Sequence, residues 1–560
     1  MTEPAALPRR RWLAFAAAAL AAALGAFAAP QAWPSGPGQV ELREGDAVLA
    51  AVPVEVGGGE RIEQAFEDGS VVLPGGVPTD DQVVLEATLD PDGADPAEVV
   101  AWLVLPDGRE ELIPVIQADV ATGSIEAERW PPNGSAAVLA LLGAVVVLWV
   151  TEALPLFVTS LAIPVVLVAT GVGSPNASLA NFFHPIIALF FAGFLMAEAM
   201  HRTRLDHLAA ISIIARAGRS PITLFATMLG VSAFMSLWMS NTAATAIVLP
   251  IALAVTAPMD SIGYRRAIVL GIAYAATVGG VGSAIGTPAN PLAIAFLRDF
   301  VGREITFVEW FAIGLPWVLL FMPLMGAYLW WRMGAAPDST RFADARRVAT
   351  DELRAAGRPT RDQVTVIAVF LGVIAFWLTE PIHGLETGIV ALGGAVVLAV
   401  LRQVGPDDLG RISWASLLTF GGGLTLGVFL VETGTSDWVA TQLGGLAAVP
   451  GPVAIAAMAT VTLVLTTVAS NTASAAITVP LAIPLATIVG VDPVVLVLVV
   501  AIASSIDFAL VIGTPPRMLA YSTGLFTPGR IFRVGALLDV AGLILLVTVV
   551  AWIWQLLGIG

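Results

Sequence analysis

The chain contains no cysteine and no lysine, has only four histidines, and carries charge on 12% of its residues. Without cysteine there is no disulfide, no thiolate metal site and no thiol nucleophile. His184, His201, His207 and His383 are scattered, form no HExxH pair and show no ligand spacing. Soluble domains carry charge on about a quarter of their residues. A charged fraction this low, beside 57% hydrophobic residues and a mean hydropathy of +0.85, excludes an ordinary soluble protein. An intramembrane hydrolase needs a nucleophile and base pair or metal ligands, and neither is recognisable. No Walker lysine follows Gly421-Gly422-Gly423, so that run reads as close helix packing rather than a phosphate loop. Nothing points to nucleic acid as a partner.

What the chain has instead is length in apolar runs. Stretches of about 20 residues, each able to cross a hydrocarbon core of ~30 Å as a helix, recur from residue 136 to the C-terminus. They do not alternate, as strands of a membrane barrel would. The expected spans are 135–153, 156–172, 184–202, 263–300, 306–331, 362–380, 385–402, 415–432, 493–523 and 530–557. Arg9, Arg10 and Arg11 precede a further apolar run at 12–29, which reads as a secretory signal peptide or a first membrane span. Its 18 residues exceed the usual signal core of about 7–15, which favours the span. The net charge of −16 is concentrated in one place: residues 30–134 hold 21 Asp and Glu against four Arg, a net −17, leaving the rest near neutral at +1. Short alternating runs such as "VVLEATL" and "EVVAWLVLP", split by turn signals like Pro106-Asp107-Gly108, make this insert a small β-rich domain.

Arginine sets the orientation. With the N-terminus inside, the predicted cytoplasmic segments include "HRTRLDH", "ARAGRS", "YRRA", a 332–361 linker with seven Arg, and the run from Arg517 to Arg533. The opposite side is nearly free of Arg, as the positive-inside rule requires, and the acidic insert falls on it. Arg298 and Arg303 are the exceptions, each near Asp299 or Glu304. Within the linker, "DARRVATDELRAAG" reads as an amphipathic surface helix. The domains are therefore 1–29, an N-terminal membrane helix; 30–134, the insert; 135–331, a first repeat; 332–361, the linker; and 362–560, a second repeat.

The two halves repeat each other. "LWVTEALP" at Trp149 returns as "FWLTEPIH" at Trp377, 228 residues later. "SNTAATAIVLPIA" returns as "SNTASAAITVPLA", moving Ser240 to Ser470, and "IGTPAN" returns as "IGTPPR", moving Gly286 to Gly513. The predicted orientation places Trp149 and Trp377 toward opposite sides, so the copies are inverted. Two apolar segments, 221–256 and 452–487, are interrupted near the middle by Ser-Asn-Thr, leaving halves too short to cross alone, as in a re-entrant hairpin. Inverted repeats with interrupted helices at matching places point to a transport site near the bilayer midplane.

The residue types suit paired ions. Gly279, Gly280, Gly282, Gly286 and Pro288 break one span, and Gly513, Pro515 and Pro516 break its counterpart. A break frees carbonyls, which suit a hard cation, and amides at the next helix start, which suit an anion. Each helix terminus offers ~0.3–1 kcal/mol, about 2 in favourable burial. Desolvating an ionic charge costs several kcal/mol, so four termini barely offset a dianion and bound cations close the gap.

The paired "SNT" tips, the "GTP" breaks and the "WVTEALP" span end resemble the divalent anion/sodium symporter family over essentially residues 136–557. That resemblance implies an all-α polytopic membrane protein of eleven transmembrane helices plus two re-entrant hairpins, a homodimer in membrane lipid, and an elevator movement. It also implies Na⁺ as coupling ion and a small anionic substrate: a dicarboxylate, citrate or sulfate. Carried across by position, the metal residues are Ser236, Ser240, Asn241 and Gly286 for one Na⁺, and Thr466, Ala469, Asn471 and Gly513 for the other. The substrate residues are Asn241, Thr242, Thr287, Pro288, Asn471, Thr472, Thr514 and Pro515.

Two residues depart from the family pattern. Arg517 stands where the second break usually has Asn, and Asp507 lies in a span that is usually uncharged. Intramembrane charges are functional candidates. One reading has Arg517 supplement or replace a cation at the second site; the other puts Asp507 and Arg517 in separate water-accessible pockets, or has them snorkel. Glu152, Glu380, Glu198 and Glu432 read as structural or interfacial rather than as proton carriers. A sodium-independent exchanger or a proton-coupled carrier is the alternative within transport, and a membrane receptor would account for the insert without needing midplane breaks.

Overall fold

The computed structural model describes the strands between residues 36 and 129, residues 17–19, and residues 132–559 except 218–219, 258, 260, 334–346, 348–349, 356, 443–448 and 512–513. The expected span at 12–29 thus lies outside the described residues but for the helical 17–19. Of the linker helix, Arg347 and residues 350–355 are described, as helix.

The chain is mostly helical and divides into two compact units. The first comprises Met1–Leu148, Ala162–Ser178 and Thr425–Gln442. It contains β1 (Gly36–Glu44), β2 (Ala47–Val56), β3 (Ile62–Phe66), β4 (Gly69–Leu73), β5 (Val83–Leu89), β6 (Val99–Val104), β7 (Glu110–Ile113), β8 (Val115–Asp119) and β9 (Ser124–Arg129). These pair antiparallel in two sheets, ordered β2-β1-β6-β7 and β3-β4-β5-β9-β8. The alternating run "VVLEATL" is β5, paired on both sides by β4 and β9. Elsewhere in this unit Thr425 donates its hydroxyl to the Ser178 carbonyl at 3.2 Å, and Thr433 meets Thr435 hydroxyl to hydroxyl at 2.7 Å.

The second unit holds both Ser-Asn-Thr tips and both breaks. Its helices bearing on the site are α1 (Pro221–Ser236), α2 (Asn241–Thr256), α3 (Ile262–Val281), α4 (Ala289–Val301), α5 (Phe307–Met333), α6 (Gly451–Val468), α7 (Asn471–Val489), α8 (Pro493–Ala503), α9 (Pro515–Ser522) and α10 (Pro528–Leu545). Among the described residues seven helical stretches are long and apolar enough to cross a membrane: Pro175–Arg202, Phe307–Met333, Arg361–Leu378, Trp414–Glu432, Gly451–Val468, Asn471–Val489 and Pro528–Leu556.

At the two tips the expectation that each half is too short to cross alone meets a mixed outcome. The arms α1 and α2 have 16 residues each, about 24 Å of helix. In the second repeat α6 has 18 and α7 has 19 residues, about 27–28 Å, and both are long enough to span. The reason is where the second pair stops: α6 runs on to Val468, two residues before the Ser-Asn-Thr, whereas α1 ends at Ser236 and leaves a four-residue turn. In each repeat the two arms pack on each other.

The core is made by the helices that lead into the breaks. The sequence of α8, "PVVLVLVVAIA", is apolar on every face, and a helix of that kind is stable only when surrounded; Val494 through Ala503 are all buried. Small residues on α3 serve the same end by letting backbones approach. A Cβ added at Gly279 would lie 2.2 Å from the Ala233 carbonyl oxygen of α1, so only glycine fits there. The Gly421–Gly423 run packs as expected: a Cβ at Gly422 would lie 2.5 Å from Ser160 Cβ. We expect Gly279→Ala to push α1 from α3 and to cost about 1–3 kcal/mol of overpacking. A lowered midpoint in a detergent thermal melt, with Gly230→Ala as a control at a position open within 4 Å, checks this.

Candidate functional site

Both tips are built by the same local rule. Ser240 and Ser470 are the N-caps of α2 and α7, their hydroxyls accepting from Ala243 N and Ala473 N at 3.2 Å each. Serine is a preferred residue there because its oxygen satisfies an amide that the helix leaves free. The following Asn is then the first helical residue, aimed back at the preceding arm. In the first repeat Ser236 Oγ lies 2.6 Å from Asn241 Oδ1, and in the second Thr466 Oγ1 lies 2.9 Å from Asn471 Oδ1. A hydroxyl five residues before the Asn thus meets its amide in both copies.

Around Asn241 the surroundings are all oxygen. Its amide sits 3.1 Å from the Ala276 carbonyl, 2.6 Å from Ser236 Oγ and 3.3 Å from the Gly286 carbonyl. With nitrogen inward the amide has three acceptors within reach of its two hydrogens; with oxygen inward it joins them as a fourth oxygen. Which orientation holds depends on what else is bound there. The approach is close enough to require glycine: a Cβ at Gly280 would lie 2.3 Å from Asn241 Oδ1, and one at Gly286 would lie 2.6 Å from the Ser236 carbonyl. A hydroxyl, a carboxamide and two main-chain carbonyls form a hard-oxygen set, which fits an alkali or alkaline-earth cation and not a soft metal. In the second repeat Thr466 Oγ1 also lies 2.5 Å from the Ser504 carbonyl. Among the described residues no three of His, Asp and Glu gather to hold a metal.

The breaks exchange partners between repeats. α4, after the first break, packs on α7 of the second tip, and α9, after the second break, packs on α2 of the first. Thr287 Oγ1 and Ser505 Oγ, one from each break, are 3.4 Å apart and buried. Thr514 Oγ1 is buried with no hydrogen-bond partner among the described residues, an orphaned donor where the anion is expected.

Other expected residues are placed less centrally. The Ser240 side chain is exposed and used as a cap, and Pro515 is exposed. Ala469 is buried at the end of α6, Thr242, Thr472 and Pro288 are half-buried, and Gly513 lies outside the described residues. Ser240 also lines a cleft of about 790 Å³ whose wall holds Glu198 and Arg411, paired at 3.2 Å. A second cleft, of about 610 Å³, reaches Ala284 beside the first break and is lined by Glu304, Glu380 and Glu386. Thr387 donates its hydroxyl to the Glu380 carboxylate at 3.2 Å.

Asp507 and Arg517 neither sit in separate pockets nor snorkel. Both are fully buried and pair through two parallel contacts, Nη1 to Oδ1 at 2.6 Å and Nη2 to Oδ2, while Nη1 also donates to the Asp507 carbonyl. Water is excluded here and the nearest opposite charge lies ten residues away across the break, so the charges close on each other. The first repeat has an uncharged counterpart: Asn290 Nδ2 donates to the carbonyls of Gly280 at 3.0 Å and Ser283 at 2.7 Å. Gly280 and Asn290 precede Asp507 and Arg517 by 227 residues, the offset of the breaks themselves. Asn290, Ser505 and the Ala276 carbonyl were not among the expected site residues; the repeat alignment already pairs Asn290 with Arg517.

The second break is also the longer, 504–514 against 282–288. Its non-helical backbone is satisfied by side chains. Phe508 N donates to Asp539 Oδ1 at 2.7 Å, and the Phe508 carbonyl accepts from Tyr274 Oη at 2.8 Å. Backbone polar groups at such depth need partners inside the protein.

The chain is similar to several known proteins. Residues 131–559 match the family model described as the sodium:sulfate symporter transmembrane region. The sodium-dependent dicarboxylate transporter SdcS of Staphylococcus saprophyticus is 30% identical over 431 residues, covering 72% of this chain and 83% of that protein. An uncharacterized transporter of Haemophilus influenzae is 30% identical over 430 residues, covering 74% of this chain and 91% of its own length. Among solved structures, the Alcanivorax borkumensis YdaH transporter superposes with a TM-score of 0.47 at 15% identity, over 68% of this chain and 88% of its own. By sequence, span and site, the chain belongs to the sodium:sulfate symporter family, the divalent anion/sodium symporters, and is a multi-pass membrane transporter and not an enzyme.

Proposed function

We propose that the chain is a sodium-coupled secondary transporter of small divalent or trivalent anions, with dicarboxylates such as succinate first, citrate and sulfate next, working by an elevator movement. The observation that carries this reading is the oxygen cluster at Asn241, repeated around Asn471 in the other half. The preference for dicarboxylates draws on the relatives named sodium-dependent dicarboxylate transporters. In this reading Ser236, Asn241 and the Gly286 and Ala276 carbonyls hold one Na⁺, with Ser240 shaping the tip. Thr466, Ala469, Asn471 and Gly513 hold the other. The anion lies between the tips, met by Asn241, Thr242, Thr287, Pro288, Asn471, Thr472, Thr514 and Pro515. Eleven spanning helices and two re-entrant tips, a homodimer, a cytoplasmic N-terminus and an extracytoplasmic acidic insert at 30–134 complete it. Carrying several cations with each dianion moves net positive charge inward, worth ~2.3 kcal/mol per charge per 100 mV.

Purified protein in liposomes is expected to take up labelled succinate only with an inward Na⁺ gradient, faster with the interior negative. Unlabelled citrate and sulfate compete to different degrees in the same assay. Uptake driven equally well by a proton gradient, or by internal anion without Na⁺, sinks the symport reading in favour of a proton-coupled carrier or an exchanger. Asn241→Ala removes one of the oxygens that hold the first Na⁺ in this reading, so half-saturating Na⁺ is expected to rise roughly tenfold or more, a loss of about 1.4 kcal/mol.

The Asp507–Arg517 pair serves, in this reading, as a neutral brace across the second break. Arg517→Asn alone strands a buried carboxylate, a loss of about 3–5 kcal/mol visible as poor yield or a lowered melt. Asp507→Gly with Arg517→Asn restores the pattern of the first repeat and is expected to recover folding with unaltered Na⁺ dependence. A well-folded double variant that requires more Na⁺ per anion favours the other reading, in which the guanidinium replaces a cation.

A further inference from the structure

Away from the tips, four arginines converge on one pocket. Arg266 near the start of α3, Arg332 at the end of α5, and Arg530 and Arg533 at the start of α10 line a cavity of about 270 Å³ with Thr527 and Met333. None of the four has a carboxylate partner among the described residues, although other arginines of the unit do, such as Arg202 with Asp408 and Arg411 with Glu198. Arg266 Nε is held by the Leu525 carbonyl at 2.8 Å, which fixes its position without touching its charge.

This crowding is costly on two counts. Like charges repel across the pocket. Arg530 lies in the first turn of α10, where the helix dipole disfavours a cation and no acidic residue compensates. A concentration of arginine on the cytoplasmic face follows from the positive-inside rule, but that rule does not require residues 266, 332 and 530 to meet at one place. An anion there offsets both costs at once.

The surroundings choose among anions. From Arg533 an apolar stripe runs along α10 at helical spacing, Leu537, Val540 and Ile544, each more than half exposed. Trp331, 76% exposed, stands next to Arg332 at the end of α5, the position of an interfacial aromatic anchor. A charged pocket opening onto an apolar stripe matches a molecule with a phosphate head and an acyl tail. Basic pockets between membrane helices on the cytoplasmic side bind such headgroups.

We infer that this pocket binds an anionic phospholipid, with the phosphate among Arg266, Arg332, Arg530 and Arg533 and an acyl chain on the Leu537–Ile544 stripe. The inference stands apart from the transport reading, since none of these residues belongs to either tip. Native mass spectrometry of the full-length protein, exchanged into detergent with phosphatidylglycerol, cardiolipin or phosphatidylcholine, tests it. Retention of the two anionic lipids over phosphatidylcholine is expected, falling about tenfold in Arg530→Gln/Arg533→Gln. Arg354→Gln/Arg358→Gln, on the same basic face but outside the pocket, is expected to retain them. Equal loss in both double variants shows only general surface attraction and overturns the site. Inorganic phosphate raising the thermal midpoint as much as phosphatidylglycerol, with no lipid retained, overturns the lipid assignment in favour of a soluble anion. Because all the substituted arginines are polar surface residues, a thermal melt in plain detergent is expected to be unchanged, which separates lost lipid from lost fold.

Discussion

An interrupted helix in hydrocarbon must find partners for its freed amides and carbonyls inside the protein, and the second unit is organised around that demand. The first break satisfies its carbonyls with the Asn290 amide. The longer second break recruits Arg517 for the Asp507 carbonyl, Asp539 for the Phe508 amide and Tyr274 for the Phe508 carbonyl. Beside the second break the Thr514 hydroxyl stays buried with no partner among the described residues. Non-helical backbone survives at such depth only where protein or a cavity surrounds it, so the breaks and the packed core of α3 and α8 require each other.

The same constraint explains why the site is made of neutral groups. An unpaired buried charge costs several kcal/mol, whereas hydroxyls, carboxamides and carbonyls present partial charges that turn to suit either sign. The Asn241 amide is the clearest case, with three oxygens around it and two orientations that serve opposite needs. Where this chain buries an acid and a base together, at Asp507 and Arg517, it closes them on each other. Arginines with no carboxylate partner among the described residues gather instead at the helix ends around Arg530.

Much of this was legible from residues alone, and the limits are specific. The offset near 227–230 between "SNT" and "GTP" landmarks located both tips and both breaks before any coordinates. The resemblance offers Ser240 as a cation ligand by position; what position does not show is that its hydroxyl caps α2, because a serine before a helix start is drawn to the free amides there. Asp507 and Arg517 stand out as charges in an apolar span, but their pairing is hidden, since Asp507 lies in the break and Arg517 in the helix after it, and no single period brings the two side chains together. Two arms expected to be too short proved long enough to span, because the stop of α6 depends on a local turn that hydropathy does not register.

By itself, the order of residues determined that the chain crosses a membrane many times, that it repeats, and where its helices must break. Those are consequences of hydrophobic length and of glycine and proline in the backbone, which act over a few neighbouring residues. Only the tertiary structure decided which polar groups meet: α4 against α7, α9 against α2, Thr287 beside Ser505, four arginines in one pocket. Those meetings join residues far apart in the chain, and they are set by how the two repeats pack into one core, a global balance that no local pattern encodes.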